Sequence, residues 1–118
     1  MITFIFGTRP EAIKLAPLIN LFIRNKNFRT RVVSTGQHKD LTIEILKFFQ
    51  INLDNDLGLM KSNQSITYLT SSIINCLEEE LTKFPPAMVI VQGDTTSAFA
   101  GALASFYLKI PIGHVEAG

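Results

Sequence analysis

At 118 residues the chain is long enough for one domain, and a domain of this size buries roughly 65% of its unfolded surface, so a true core is within reach. A net charge of +1, with 18% charged and 47% hydrophobic residues, excludes the basic face that a nucleic-acid or membrane-surface protein needs and leaves an ordinary globular composition. The single cysteine excludes an internal disulfide, the apolar opening is too short and lacks the basic leader of a signal peptide, and no apolar run nears the ~20 residues of a membrane span; the expectation is a cytoplasmic protein.

The first predicted element is a buried strand over Ile2–Phe6, apolar and β-branched or aromatic, closed by Gly7. Thr8-Arg9-Pro10-Glu11 then has the form of a capping box, with proline in the first turn where its missing N–H costs nothing. Ile13, Ala16, Ile19, Phe22 and Ile23 carry a helix to about Asn25, in which Pro17 removes the bond to the Ile13 carbonyl and is expected to kink the axis. A basic cluster (Arg24, Lys26, Arg29, Arg31) falls near the end of that helix, where positive charge complements the helix dipole.

A second strand is expected over 32–35, ending at Gly36, and a second helix over 41–49. Residues 54–61 read as a polar connection holding Leu57, Leu59 and Met60. A long helix over 65–81 follows, with Cys76 inside it as a buried structural thiol, and Pro85-Pro86 ends the segment. A third buried strand over 88–91 closes at Gly93, a small-residue helix covers 95–108, and a last strand over 110–115 starts around Pro111. Strands alternating with helices imply right-handed crossovers, hence an α/β fold with a Rossmann-like parallel sheet covered by helices on both faces. A complete doubly wound domain continues with another helix after such a strand, so residues 1–118 are expected to be an incomplete domain.

In an open parallel sheet, ligands bind outside the carboxyl ends of the strands. Every predicted strand exit carries polar or titratable residues: Gly7-Thr8-Arg9, Gly36-Gln37-His38, Gly93-Asp94-Thr95, and His114 with Glu116. The glycines permit unusual backbone angles and close approach of a ligand, or simply make the turns. Arg9 at a helix start adds a bidentate donor to an anion-attracting terminus, against the alternatives of a surface residue or a partner of Glu11. Lys14, one turn later, leans back toward the strand edge or stays solvated. Asp94 reads either as an acid–base group or as the cap of the next helix. Strand alternation puts His114 and Glu116 on one side, and two carboxylates from neighbouring exits are able to divide acid and base roles. His38 and His114 are imidazoles open to proton transfer, or serve as hydrogen-bonded structural residues. G-x-G-x-x-G, the P-loop and G-x-S-x-G are all absent, and no His, Cys and carboxylate spacing suits a metal. The set therefore implies an anionic organic ligand and acid–base chemistry with no cofactor.

Phe6-Gly7-Thr8-Arg9-Pro10-Glu11-Ala12-Ile13-Lys14 resembles the opening signature of the bacterial non-hydrolysing UDP-N-acetylglucosamine 2-epimerases. Thr35-Gly36-Gln37-His38, Gly93-Asp94-Thr95-Thr96 and Gly113-His114-Val115-Glu116-Ala117-Gly118 are similar to further blocks of that family, in the same order. The resemblance implies the first half of a two-domain, glycosyltransferase-B-like fold, with the C-terminal nucleotide-binding domain outside residues 1–118. It implies interconversion of UDP-N-acetylglucosamine and UDP-N-acetylmannosamine, by elimination of UDP and re-addition with inversion at C2. It places Asp94 and Glu116 on proton-transfer positions, Arg9 and Lys14 near the nucleotide phosphates, and His114 among the substrate-binding residues. Gln37 and His38 fall where some members bind a second, regulatory UDP-N-acetylglucosamine; Asp40 and Asn63 depart from the Gln and Arg that such members carry there. It further implies a homodimer at full length and an isolated fragment without activity. The acceptor-side domain of a related glycosyltransferase, or a non-catalytic binding module, would share the architecture.

Overall fold

The computed structural model describes residues 1–59 and 61–116, so Met60, Ala117 and Gly118, which the sequence reading placed in a connection and in the last motif, lie outside the described residues. In chain order the elements are β1 (Ile2–Phe6), α1 (Arg9–Arg24), β2 (Thr30–Ser34), α2 (Lys39–Phe48), β3 (Asn55–Asp56), α3 (Ile66–Lys83), β4 (Met88–Gln92), α4 (Thr96–Tyr107) and β5 (Ile112–Val115). The five strands are all parallel, in the order β3-β2-β1-β4-β5.

Alternation along the strands divides the core. Ile2, Phe4, Phe6, Val32 and Ile90 face one side and meet Ala12, Leu15, Ala16 and Ile19 of α1 and Leu46 of α2. Ile5, Val33, Val89 and Val91 face the other and meet Leu69, Ile73, Leu77 and Leu81 of α3 and Ala98, Ala100 and Ala104 of α4. Both faces are therefore covered, which is why these strands read as continuous apolar runs rather than alternating ones. Each fully buried Leu, Ile or Phe contributes on the order of 2 kcal/mol through area removed from water.

Helix α1 runs through Pro17 as expected, with that residue on its exposed face while Ala16 and Ile19 stay buried. Several elements differ from expectation for identifiable reasons. Strand β3 replaces part of the expected connection. It is two polar residues long, pairing Val33 with Asn55 and Ser34 with Asp56, and no apolar pattern marks it. Asp54 docks it by accepting the Val32 N–H at 2.6 Å. Cys76 is half-buried rather than buried.

Arg31 belongs to β2, not to a helix end. Its guanidinium donates from Nε and Nη2 to the Glu80 carboxylate at 2.6 and 2.9 Å and lies 3.7 Å from the Phe84 ring centroid. Asn55 Nδ2 adds a third donor to Glu80 at 2.9 Å, so one carboxylate ties β2, β3 and α3 together. Burial pushes the Glu80 carboxyl up, but the hydrogen bonds from Arg31 and Asn55 and the charges of Arg31 and Lys83 outweigh it and leave it below its ordinary value. A carboxyl lowered on folding stabilises the fold above its unfolded pKa and loses that contribution as pH falls through the folded one. Glu80 therefore contributes fully at neutral pH and progressively less below about pH 4.3. Arg31→Met leaves Glu80 buried beside apolar surface; about 3 kcal/mol is expected to be lost at pH 7. Without the guanidinium, burial raises the Glu80 carboxyl, so the deficit is expected to shrink on acidification. Urea melts of both proteins at pH 7 and pH 4 check the sign.

Candidate active-site cleft at the switch of the sheet

Connections run outward from β1 in one direction to β2 and β3, and in the other to β4 and β5. The strand order thus reverses between β1 and β4, the point at which open α/β sheets form their ligand crevice. Ladder pairing shows the crevice opening. The β1–β2 ladder reaches Phe6 and Ser34, and the β4–β5 ladder reaches Gln92 and Val115. The β1–β4 ladder ends earlier, at Phe4 and Ile90. A cleft of about 540 Å³ lies there, within the size range of small-ligand sites. Thr8, Glu11 and Lys14 line it from the β1 exit and α1, Gln92, Asp94 and Thr95 from the β4 exit, and His114 and Glu116 from β5.

Lys14 Nζ donates to Glu116 Oε2 at 2.6 Å, and Gln92 Nε2 donates to the same oxygen at 3.0 Å. The hydrogen bond from Lys14 holds the Glu116 carboxyl below the usual range; desolvation opposes it, and the Lys14 charge and Gln92 assist. The two side chains are 47% and 52% exposed, so the pair contributes little to folding and is free to change partners when an anion enters. Glu116 sits just past β5 with φ +60°, a left-handed conformation unfavourable for a side-chain-bearing residue. Backbone strain of this kind, on the order of 1 kcal/mol, concentrates at functional sites.

Asp94 is exposed in the turn after β4, and it is not the cap of α4. That role falls to Thr95, whose hydroxyl accepts the Ala98 N–H at 3.1 Å. His114 Nε2 lies 2.6 Å from the Gly93 carbonyl oxygen; since a carbonyl only accepts, Nε2 carries the proton in this contact. Asp94 and His114 also border an adjoining, mostly apolar hollow of about 350 Å³ beside Phe99 and Ile112. Arg9 opens α1 at the same edge but is exposed and outside the cleft lining, and Glu11 is not its partner. Gln37 and His38 stand apart, over the β2 exit. Gln37 Oε1 accepts from Ser97 Oγ at 2.8 Å, which lies 2.8 Å from Thr35 Oγ1. The His38 N–H donates to the Gly7 carbonyl at 2.7 Å. Among the described residues no group of three or more His, Cys, Asp and Glu is placed to hold a metal ion, and no helix is long and apolar enough to cross a membrane.

Glu11 and Gln92 are the cleft residues that sequence reasoning missed. Gln92 carried a signal, as the one polar residue ending an apolar strand just before Gly93. Glu11 read only as a helix-start residue, and nothing in its spacing announces that it is fully buried.

Residues 22–118 match the family model described as UDP-N-acetylglucosamine 2-epimerase. The chain belongs to the UDP-N-acetylglucosamine 2-epimerase family. It is 48% identical over 117 residues to the UDP-N-acetylglucosamine 2-epimerase of Salmonella borreze, covering 99% of this chain and 31% of that protein. To the enzyme of that name from Escherichia coli K12 it is 46% identical over 114 residues, covering 97% of this chain and 30% of that protein. The crystal structure of the Neisseria meningitidis epimerase bound to UDP-GlcNAc superposes with a TM-score of 0.95 at 46% identity, over 99% of this chain and 32% of that one. The Methanocaldococcus jannaschii epimerase in complex with UDP-GlcNAc and UDP gives 0.92 at 33% identity, over 99% and 32%. The chain therefore corresponds to an N-terminal third of its epimerase relatives, and its fold is the Rossmann-like N-terminal part of theirs.

Proposed function

We propose that the protein carrying this chain interconverts UDP-N-acetylglucosamine and UDP-N-acetylmannosamine without net hydrolysis. The observation that carries the reading is the gathering of Lys14, Asp94, His114 and Glu116 in one cleft at the β1–β4 switch, in a chain of the epimerase family. In the forward direction a base takes the proton from C2, the C1–oxygen bond breaks, and UDP leaves with that bonding pair, giving 2-acetamidoglucal. In the return step a proton reaches C2 on the opposite face and the same UDP oxygen rebonds to C1. Atoms balance, and no redox partner is needed. Asp94 and Glu116 supply the two proton-transfer groups. Lys14, with Arg9 at the α1 terminus, meets the phosphates, and His114 contacts the sugar.

The same reading makes residues 1–118 an incomplete N-terminal domain. The rest of the nucleotide site belongs to a further, C-terminal domain, and the full-length enzyme is a cytoplasmic homodimer. Gln37 and His38 are the positions at which a second, regulatory UDP-sugar would meet this chain. The test is ¹H NMR of UDP-N-acetylglucosamine with the full-length protein in deuterium oxide. Deuterium at C2 of both epimers is expected; free UDP and N-acetylmannosamine accumulating as the end products would overturn the non-hydrolysing reading. The 118-residue chain alone is expected to give neither.

A further inference from the structure

The cleft opens because the β1–β4 ladder stops at Phe4 and Ile90, two residues short of both strand exits. Something other than the ladder must set the distance between the two loops that carry the chemistry. Glu11 spans that gap. Its side chain is 0% exposed, and each of its four partners donates. Oε2 accepts the Gly7 N–H at 3.1 Å, the Thr8 N–H at 2.7 Å and the Thr8 hydroxyl at 2.7 Å, all from the β1 exit. Oε1 accepts the Thr95 hydroxyl at 2.8 Å, from the β4 exit. Thr95 is the residue after Asp94 and the cap of α4, since its oxygen also accepts the Ala98 N–H. One side of Glu11 is thus fixed to the loop that leads to Lys14, and the other to the turn that presents Asp94.

We infer that Glu11 is a positioning residue for the reaction: through Thr95 it fixes Asp94 against the Lys14–Glu116 pair across the switch of the sheet. A helix-cap role alone requires the bonds to Gly7 and Thr8 but not the fourth, to a residue 84 positions away. A carboxylate is suited to this place because an acceptor-only group meets four donors with no proton of its own to place. Glutamine retains three of the four bonds by turning its oxygen toward Gly7 and Thr8. Its NH2 then faces Thr95 Oγ1, where donation must reverse and leave the hydroxyl proton without its acceptor. Glu11→Gln therefore loosens the cross-cleft bond and leaves the β1 side in place. Thr95→Gly removes the same bond from the far end, and glycine is a tolerated cap, costing only a few tenths of a kcal/mol relative to threonine.

The inference rests on the epimerase reading, and the test separates the two. In the full-length protein, Glu11→Gln and Thr95→Gly are each expected to lower kcat for epimerisation at least about tenfold with KM changed less than about threefold, as loss of alignment rather than of binding requires. The double variant is expected to be no slower than the slower single one, because both remove one bond. Thr95→Ser, which restores the hydroxyl, is expected to recover the rate lost in Thr95→Gly. Wild-type kcat in either single variant, losses that multiply in the double variant, or a rise in KM alone overturns the positioning role. If Glu11→Gln fails to fold, Thr95→Gly and Thr95→Ser decide. If the unmodified full-length protein shows no epimerisation, the functional reading fails instead. Amide shifts then test the link itself: coincident changes at Asp94 in both variants support it, and an unmoved Asp94 rejects it.

Discussion

Replacing Gly7 by alanine is expected to cost about 4 kcal/mol or more and to lower the melting temperature by on the order of 15 °C. A Cβ on Gly7 would stand 2.1 Å from Ser97 Oγ, 2.3 Å from Thr35 Oγ1 and 3.0 Å from Gln37 Cβ. Neither hydroxyl is able to yield cheaply. Thr35 and Ser97 are fully buried and bonded to each other, and Ser97 also donates to Gln37. Overpacking alone costs about 1–3 kcal/mol. Breaking a buried hydrogen bond and leaving its groups unsatisfied adds about 1–3 kcal/mol. Domains of this size hold only about 5–15 kcal/mol in total, so the variant is left near the margin. Gly113→Ala is the control. Its Cβ would meet Ile90 Cγ1 and Met88 Sδ at 3.4 and 3.5 Å, ordinary contact distances, and a loss below about 1 kcal/mol is expected. Equal melting temperatures for the two variants would show that the β1 exit is not held by this close approach.

Gly7 also marks where sequence reasoning stopped. The three strand-exit glycines look alike in sequence, yet they serve two purposes. Gly36 and Gly93 adopt φ of +82° and +74°, the left-handed region that favours glycine. Gly7 is not among the left-handed residues; it is needed for space, because α4 and the β2 exit converge on it. Local pattern predicts a turn but not which distant elements press on it. The same limit explains the other misses. Strand β3 carries no periodic signal, because two polar residues docked by Asp54 and by the Asn55–Glu80 bond need none. Arg31 looked like one of a basic cluster, since its partner lies 49 residues on, in α3. What was legible was the strand-exit rule. Apolar strands ending in polar residues and alternating with helices define a parallel sheet and its carboxyl edge, and that edge holds Lys14, Asp94, His114 and Glu116. The rule does not say which exits are neighbours. Only the strand order shows that the β1, β4 and β5 exits share one cleft while Gln37 and His38, at the β2 exit, stand outside its lining.

In the full-length protein, Asp94→Asn is expected to abolish incorporation of solvent deuterium at C2 of the UDP-sugar, with kcat down about 10²–10⁴-fold. Under the proposed epimerisation, inversion at C2 sets the requirement. A proton must leave one face and another must arrive on the other, so a single group, returning the proton it took, would regenerate the starting epimer. Two groups are needed, and the cleft offers Asp94 and Glu116 from adjacent strand exits. Their surroundings differ. Glu116 is held charged by Lys14 and Gln92, so at neutral pH it is an acceptor of protons. A phosphate entering the cleft competes for Lys14, and losing that partner frees the Glu116 carboxylate to take a proton. Among the described residues Asp94 has no such clamp: it is exposed in a turn whose cap is supplied by Thr95, so its carboxylate is left for the ligand. Asparagine keeps its size and loses only the proton site, so the fold and KM are expected to hold while exchange stops. Glu116→Gln is expected to block the reaction as well, and the double variant to be no worse than about the poorer single one, as for groups that act as a unit. C2 exchange at the wild-type rate in Asp94→Asn would remove Asp94 from the chemistry and leave it a role in binding alone.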